Sequence, residues 1–185
     1  MPPVPANDPR AQAVLEFWFR GAEARKEWFE KNAALDEEIR ARFLALTQEA
    51  ASGALANWRN LPGDCLALIL TLDQFPRNLF RAEARAFATD ALALAAARHA
   101  VDHGFDRAML EVERTFVYLP FEHSENLADQ ERSLALFEGN ANYEWARRHS
   151  EIVRRFGRFP HRNAVLGRQS TPAEIEFLKQ PGSSF

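Results

Sequence analysis

The sequence predicts an all-α fold, a compact array of about eight helices, and three observations support this class. Ala, Leu, Glu and Arg, which lose little side-chain freedom in a helix, are abundant, whereas only 8 glycines occur. Apolar residues recur at three- and four-residue steps along most of the chain. No segment carries the alternation or turn residues of a β-hairpin. No period of about 34 residues is found, so we expect helix pairs without a regular sequence repeat.

Size and charge limit the possible classes of protein. The 185 residues predict a single domain at residues 8–180, with a disordered Pro-rich arm at residues 1–7 and a frayed tail at residues 181–185. A formal net charge of −3 argues against general nucleic-acid binding. No signal pattern or membrane-length apolar run occurs. We therefore expect a cytoplasmic protein that binds neither nucleic acid nor membrane, and no motif specifies its cofactor or oligomeric state.

The first helices are predicted from their caps and stops. Asp8 and Pro9 form an N-cap and first-turn proline, and Gly21 ends the helix that they open. A short element containing Trp28 follows. A longer helix then runs to the stop at Gly53, because apolar residues recur at helical spacing up to that point.

The apolar run at residues 65–72 is the expected centre of the fold. Its Leu and Ala content favours a helix over a buried strand, and apolar residues on all sides indicate neighbours on every face. Its single cysteine, Cys65, is interpreted as a small core residue. We expect this helix to end before Pro76, because proline lacks an N–H and clashes with the carbonyl four residues earlier.

The second half of the sequence predicts five helices, at residues 83–103, 109–119, 126–138, 145–156 and 172–178. Pro120 closes the second of these and Gly157 the fourth. Thr171 and Glu174 form a capping box that opens the last. Gln130 falls where the helical pattern expects an apolar residue.

The stretch of sequence with the greatest capacity for binding chemistry is rich in arginine. Residues 154–168 contain five arginines, one histidine and no acidic residue. Residues 73–81 contain the same order of residues, Phe-Pro followed by Arg-Asn and then a further Arg. We expect each of the two segments to follow a helix and to have an irregular backbone. We expect these two segments and the acidic connection at residues 122–125 to meet as a polar junction.

The arginines of the polar junction suit an anion, because the guanidinium fork matches a carboxylate or phosphate through two hydrogen bonds. The candidate ligand-binding residues are Arg77, Asn78, Arg81, Glu122, Glu125, Gln130, Arg158, Arg162, Asn163 and Arg168. The alternative is a buried ion-pair network with Asp73, Glu122, Glu125 or Asp129. Loss of one member of such a network costs about 3–5 kcal/mol without any ligand.

Three residues are candidates for proton transfer. His123 lies between Glu122 and Glu125, which should raise its pKa, whereas arginines should keep His161 neutral. Together with Asp73, these histidines could act as general acid and base. The alternative is that each histidine caps a backbone group. His149 is interpreted as a core histidine, and no spacing matches a known helical metal motif, so no metal site is predicted.

Three segments, residues 72–81, 119–130 and 155–168, carry long motifs that resemble those of the bacterial domain-of-unknown-function 924 family. The resemblance extends over nearly the whole chain. It implies an all-helical fold classed as tetratricopeptide-like and no established activity.

Two functions follow as expectations. The first is a polar pocket that binds an anionic small molecule, a phosphate or carboxylate, with possible acid/base catalysis. The alternative is a tetratricopeptide-like helical module that binds an acidic peptide or protein terminus. The sequence leaves open whether the protein is an enzyme.

Overall fold

The computed structural model describes residues 3–20 and 26–184, and in this part of the chain eight α-helices and no strand occur. The helices are α1 (Pro9–Trp18), α2 (Ala33–Ala51), α3 (Pro62–Leu79), α4 (Asp90–Asp102), α5 (Glu111–Glu122), α6 (Leu127–Leu136), α7 (Tyr143–Phe156) and α8 (Pro172–Leu178). The predicted all-α class is confirmed. Within the same residues, no helix combines the length and apolar character needed to cross a membrane. The predicted stop at Gly21 lies outside the described residues.

The chain divides into two compact units. The first comprises Met1–Arg81 and Arg85–Pro120, and the second Ala82–Ala84 and Phe121–Phe185. The predicted boundaries, a single domain at residues 8–180 with two terminal arms, stay a prediction. So does the arrangement of the helices as tetratricopeptide-like pairs.

In the first unit, α3 is the central helix and contacts α1, α2 and α4. Every residue from Cys65 to Pro76 is buried, which explains the apolar run on all faces. Phe75 packs against Phe17 and Trp18 of α1 and Phe43 of α2, with ring centroids 6.3, 5.7 and 5.2 Å away. The helical interpretation of residues 65–72 and the core position of Cys65 are therefore confirmed.

The predicted end of this helix before Pro76 is wrong, because α3 continues to Leu79. A proline inside a helix leaves the carbonyl four residues earlier without its N–H donor. Here that carbonyl belongs to Leu72, and the Thr89 hydroxyl donates to it at 2.6 Å. Residues 73–79 are consequently helical and not irregular chain. Pro120 likewise lies inside α5 and does not close it.

The predicted helix at residues 83–103 begins later than expected. Ala82 has a φ of 60°, in the left-handed region that interrupts a helix, and residues 84–87 form a short 3₁₀ turn. Thr89 precedes α4, and its hydroxyl binds Leu72 and makes no cap bond to the helix. The α-helix itself therefore covers only Asp90–Asp102.

The backbone before α1 is bound by side chains of the first unit. The N–H of Val4 donates to Glu113 at 3.0 Å, and the N–H of Asn7 donates to Asp64 at 2.7 Å. Gly63 allows the close approach of this segment, because a β-carbon there would lie 2.1 Å from the carbonyl oxygen of Pro5.

In the second unit, α6 and α7 pack against each other and α8 follows the arginine-rich turn. Gly157 has a φ of 70° at the end of α7, as predicted for a helix stop. Thr171 and Glu174 make both hydrogen bonds of the predicted capping box at α8. Ile152 and Val153 of α7 form a small core with Phe159.

Candidate functional site

The predicted site residues are divided between the two units. Residues 73–81 belong to the first unit, and residues 122–168 belong to the second. That the two groups form one polar junction stays a prediction.

In the first unit, Asp73 and Arg77 lie on successive turns of α3. Asp73 is fully buried, and the Gln74 amide donates to its carboxylate at 2.6 Å. Arg77 Nη1 lies 3.3 Å from the same carboxylate, and its two terminal nitrogens bind Asp90 at 2.8 and 3.1 Å. Burial alone would lower the pKa of Arg77, but Asp73 and Asp90 raise it overall.

At the end of α3, Arg81 makes a two-point ion pair with Asp36 of α2. Its Nε and Nη2 donate to the carboxylate at 2.6 and 2.7 Å, and Nη2 also donates to Asn78 Oδ1 at 2.9 Å. The Asn78 amide donates to the carbonyl of Gln74 at 3.0 Å. Both arginines of residues 73–81 therefore hold helices of their own unit together.

The second unit contains two more pairs of this kind. Arg168 donates to Glu125 at 2.7 and 3.0 Å, and the backbone N–H of Phe159 donates to the same carboxylate at 2.7 Å. Arg158 donates to Glu174 at 2.7 and 2.9 Å. Asn163 Oδ1 accepts from Arg168 Nε at 2.9 Å, so Asn163 orients this arginine.

These ion pairs explain why the pKa values of Glu125 and Glu174 are lowered. Burial would raise the pKa of Glu125, but Arg168, the Phe159 N–H and the charge of Arg162 lower it overall. Hydrogen bonds from Arg158 lower the pKa of Glu174 to about 2. Both carboxyls are thus charged near neutral pH, and each neutralises an arginine.

Three of the five histidines lie close together in the second unit, where His149 is next to both His123 and Phe159. The ring centroid of His149 lies 6.4 Å from that of His123 and 5.6 Å from that of Phe159. His161 lies 5.7 Å from Phe159, and the Arg162 guanidinium lies 4.5 Å from the same ring. We call these residues, His123, His149, Phe159, His161 and Arg162, the histidine cluster.

Three parts of the second unit build the histidine cluster. His123 follows α5, His149 lies on the buried face of α7, and the other three residues belong to the turn after α7. Arg162 is only 6% exposed, and its Nη1 donates to the carbonyl of His123 at 3.1 Å. This hydrogen bond fixes the turn after α7 against the connection after α5.

His149 is the member that the sequence did not suggest as functional. Its Nδ1 lies 2.9 Å from the carbonyl of Trp145 and 3.1 Å from Glu122 Oε1, which assigns the proton of a neutral ring to Nδ1. Burial, followed by the charges of His123, Arg162 and His161, lowers the pKa of His149 to about 3. Its Nε2 then remains an acceptor at neutral pH. The apolar spacing of α7 gave no signal for this role.

Gln130, predicted on an apolar helix face, is completely buried and bonds to backbone. Its Nε2 donates to the carbonyl oxygens of Glu122 and Ser124 at 2.7 and 2.6 Å. Since these carbonyls flank His123, Gln130 holds the connection that carries this histidine. Ser124 is held further by Asp129, which accepts from its hydroxyl at 2.8 Å.

Among residues 3–20 and 26–184, no group of three or more His, Cys, Asp and Glu side chains is arranged to hold a metal ion. The histidine cluster brings imidazole and guanidinium groups together, and the Glu122 carboxylate lies 3.1 Å from His149. The catalytic roles of His123, Asp73 and His161 stay predictions, as do the ligand-binding roles of the other candidates.

Comparison with known proteins places the chain in a family. The model of a family described as bacterial protein of unknown function, DUF924, matches residues 14–182. The solved structure of a protein of unknown function from Agrobacterium tumefaciens is similar, with 42% sequence identity and a TM-score of 0.87. The match covers 92% of this chain and 97% of that one. No curated protein matches. The chain therefore belongs to the DUF924 family of bacterial proteins.

Proposed function

We propose that the second unit binds a small anionic molecule, a carboxylate or phosphate, at the histidine cluster. The observation that supports this is the proximity of three histidines and one buried arginine, which are linked through contacts with His149 and Phe159. Buried ionisable groups with shifted pKa values concentrate at functional sites, because binding and proton transfer require them.

The other arginines of the sequence motifs have a different task in this proposal. Arg77, Arg81, Arg158 and Arg168 each bind a carboxylate of the chain itself. They support the ion-pair interpretation and hold helices and turns in place. Arg162 lies among the histidines, where its Nη1 donates to the carbonyl of His123, and it is the guanidinium that we propose contacts the anion.

The cluster also has the capacity for acid/base chemistry. In neutral His149 the proton lies on Nδ1, which the carbonyl of Trp145 holds, so Nε2 has the character of a hydrogen-bond acceptor. A ring fixed in this way can orient a ligand hydroxyl or a water through a hydrogen bond. His123 and His161, both half-buried, are the members that an entering ligand could reach.

A thermal-shift screen with phosphate monoesters and small di- and tricarboxylates tests the proposal. An anion present at about 100 times its dissociation constant stabilises the folded state by roughly 2.7 kcal/mol. For a chain of this size we expect the melting temperature to rise by about 5–10 °C. The rise should shrink in His123→Gln and His161→Gln.

His103→Gln is the matched control, because it removes an exposed histidine of the first unit. It should leave the ligand-induced rise unchanged. If a variant does not fold, NMR chemical shifts of the imidazole Cε1 protons are measured in the parent protein instead. The shifts of His123 and His161 should change when the anion is added. Binding elsewhere is indicated if all variants respond alike, and the absence of any response contradicts the proposal.

The alternative function is that of a tetratricopeptide-like helical module that binds an acidic peptide or protein terminus. A cytoplasmic location remains part of the proposal, and it is compatible with a ligand drawn from small metabolites.

A further inference from the structure

Helix α7 carries a basic and aromatic surface that the histidine cluster does not use. Trp145 is 51% exposed, and the Arg148 guanidinium lies 5.0 Å from its ring. Arg155 is also exposed and lies 4.7 Å from the ring of Phe156 and 5.8 Å from that of Phe177. Steps of three and seven residues place Trp145, Arg148 and Arg155 on one side of the helix.

The arginines of this helix differ in their partners. Arg147 forms ion pairs with Glu144 and Glu151. In the part of the chain that the structure describes, Arg148, Arg154 and Arg155 have no carboxylate within ion-pair distance. This distinguishes them on a chain with a formal net charge of −3, where carboxylates outnumber the basic side chains. We call Trp145, Arg148 and Arg155 the α7 basic surface.

An open groove continues this surface toward α8. Its volume is about 450 Å³, and it is lined by Arg155, Phe156, Arg158, Thr171, Ala173 and Glu174. Because Arg158 is paired with Glu174, Arg155 supplies the positive charge that the groove leaves available. Phe156 offers an apolar contact beside it. The groove can therefore receive an apolar side chain of a peptide, while Arg155 binds an acidic residue next to it.

We infer that the α7 basic surface and its groove dock an acidic peptide segment of a partner protein. Charge complementarity is the argument, since exposed guanidiniums attract carboxylates and can bind them through two hydrogen bonds. Exposed aromatic rings beside arginines are typical of the residues that dominate protein interfaces. This inference does not depend on anion binding at the histidine cluster.

The dimensions fit a short peptide. The 14 residues of α7 span about 21 Å. An extended peptide rises about 3.3 Å per residue, so roughly six or seven residues cover the helix. Nucleic acid fits less well, because its binding depends on a broad basic surface that neutralises many phosphates, and this chain is acidic overall.

Selection from a random heptapeptide display library tests the inference, because it samples acidic and non-acidic peptides alike. The immobilised full-length protein should enrich peptides that carry at least two Asp or Glu residues and one aromatic or aliphatic residue. A synthetic copy of an enriched peptide, labelled with fluorescein, should bind the protein in an anisotropy titration. The double variant Arg148→Gln, Arg155→Gln should weaken this binding at least tenfold.

Two controls separate docking from simple charge attraction. Arg147→Gln removes an exposed arginine of the same helix that is already paired, and it should change the affinity by less than threefold. An oligothymidine of equal charge should not displace the peptide. The inference fails if no acidic peptide is enriched, if Arg147→Gln weakens binding as much as the double variant, or if the oligothymidine competes equally.

Discussion

At the scale of single residues, the arginines of the family motifs divide by what they touch. Arg81 and Arg168 bind carboxylates 45 and 43 residues away in sequence, each through two hydrogen bonds. Arg162 packs against Phe159 and donates to the carbonyl of His123. All of these residues look alike in the sequence, because composition does not reveal partners that only folding brings close.

The pair of Arg158 and Glu174 allows a prediction about the stability of the protein. Glu174 is 2% exposed, and Arg158→Gln leaves this buried carboxylate without its charged donor. We expect the free energy of unfolding, measured with urea at pH 7, to fall measurably. Arg154→Gln, at an exposed arginine without a carboxylate partner among the described residues, should change it by less than about 0.5 kcal/mol. Equal effects of the two substitutions would contradict a specific role for the pair.

At the scale of elements, α3 depends on a hydroxyl from outside the helix. The helix continues through Pro76 because the Thr89 hydroxyl donates to the carbonyl of Leu72. The sequence rule for proline is physically correct, since the N–H is missing. What the sequence does not contain is the distant donor, 17 residues later, that satisfies the carbonyl.

Thr89→Val tests this explanation. It keeps the shape of the side chain but leaves the buried Leu72 carbonyl without a donor, so we expect a loss of about 1–3 kcal/mol in the free energy of unfolding. Thr71→Val is the matched control, because the Thr71 hydroxyl donates to the carbonyl of Ala67, which already accepts a helical N–H. Thr71→Val should therefore cost less than Thr89→Val.

A rescue experiment isolates the mechanism. Pro76→Ala restores an N–H four residues after Leu72, so it should reduce the cost of Thr89→Val. Thermal or urea unfolding of the two single variants and the double variant gives the coupling energy. A coupling near zero would mean that the Thr89 hydroxyl does not act through the Leu72 carbonyl.

At the scale of the whole molecule, His149 links stability to pH. The ordinary pKa of 6.5 applies when the chain unfolds, whereas burial holds the folded value at about 3. Between these values the unfolded state binds one more proton, so stability falls as pH decreases. From pH 6 to pH 4.5 we expect a loss of about 1.4 kcal/mol per pH unit from this group.

Urea unfolding between pH 4.5 and 6.5 measures this slope, and comparison with His149→Gln removes the contribution that Glu174, whose ordinary pKa is 4.5, makes toward the acidic end. His149→Gln should flatten the slope, and His103→Gln, which removes an exposed histidine whose charge lowers the pKa of His99, should change it less. The Glu122 carboxylate, 3.1 Å from His149, acts in the opposite direction by favouring the charged ring. A slope that steepens in His149→Gln would show that Glu122 outweighs burial.

Much of the architecture follows from local sequence signals. The caps at Asp8 and Thr171, the stop at Gly157 and the apolar run of α3 act through nearby residues, so the pattern predicts them. The histidine cluster does not follow in this way. His149 is placed on a buried helix face by the same periodicity that places Ile152, and only packing brings it beside His123.

The contact between Gly63 and Pro5 has a practical consequence. The carbonyl oxygen of Pro5 occupies the space where any other residue at position 63 would place its β-carbon. The segment before α1 and the first turn of α3 are therefore matched surfaces, and a change in one requires a change in the other. In expression work, an affinity tag at the carboxyl end leaves this fit intact, whereas removal of the first residues opens a gap over α3.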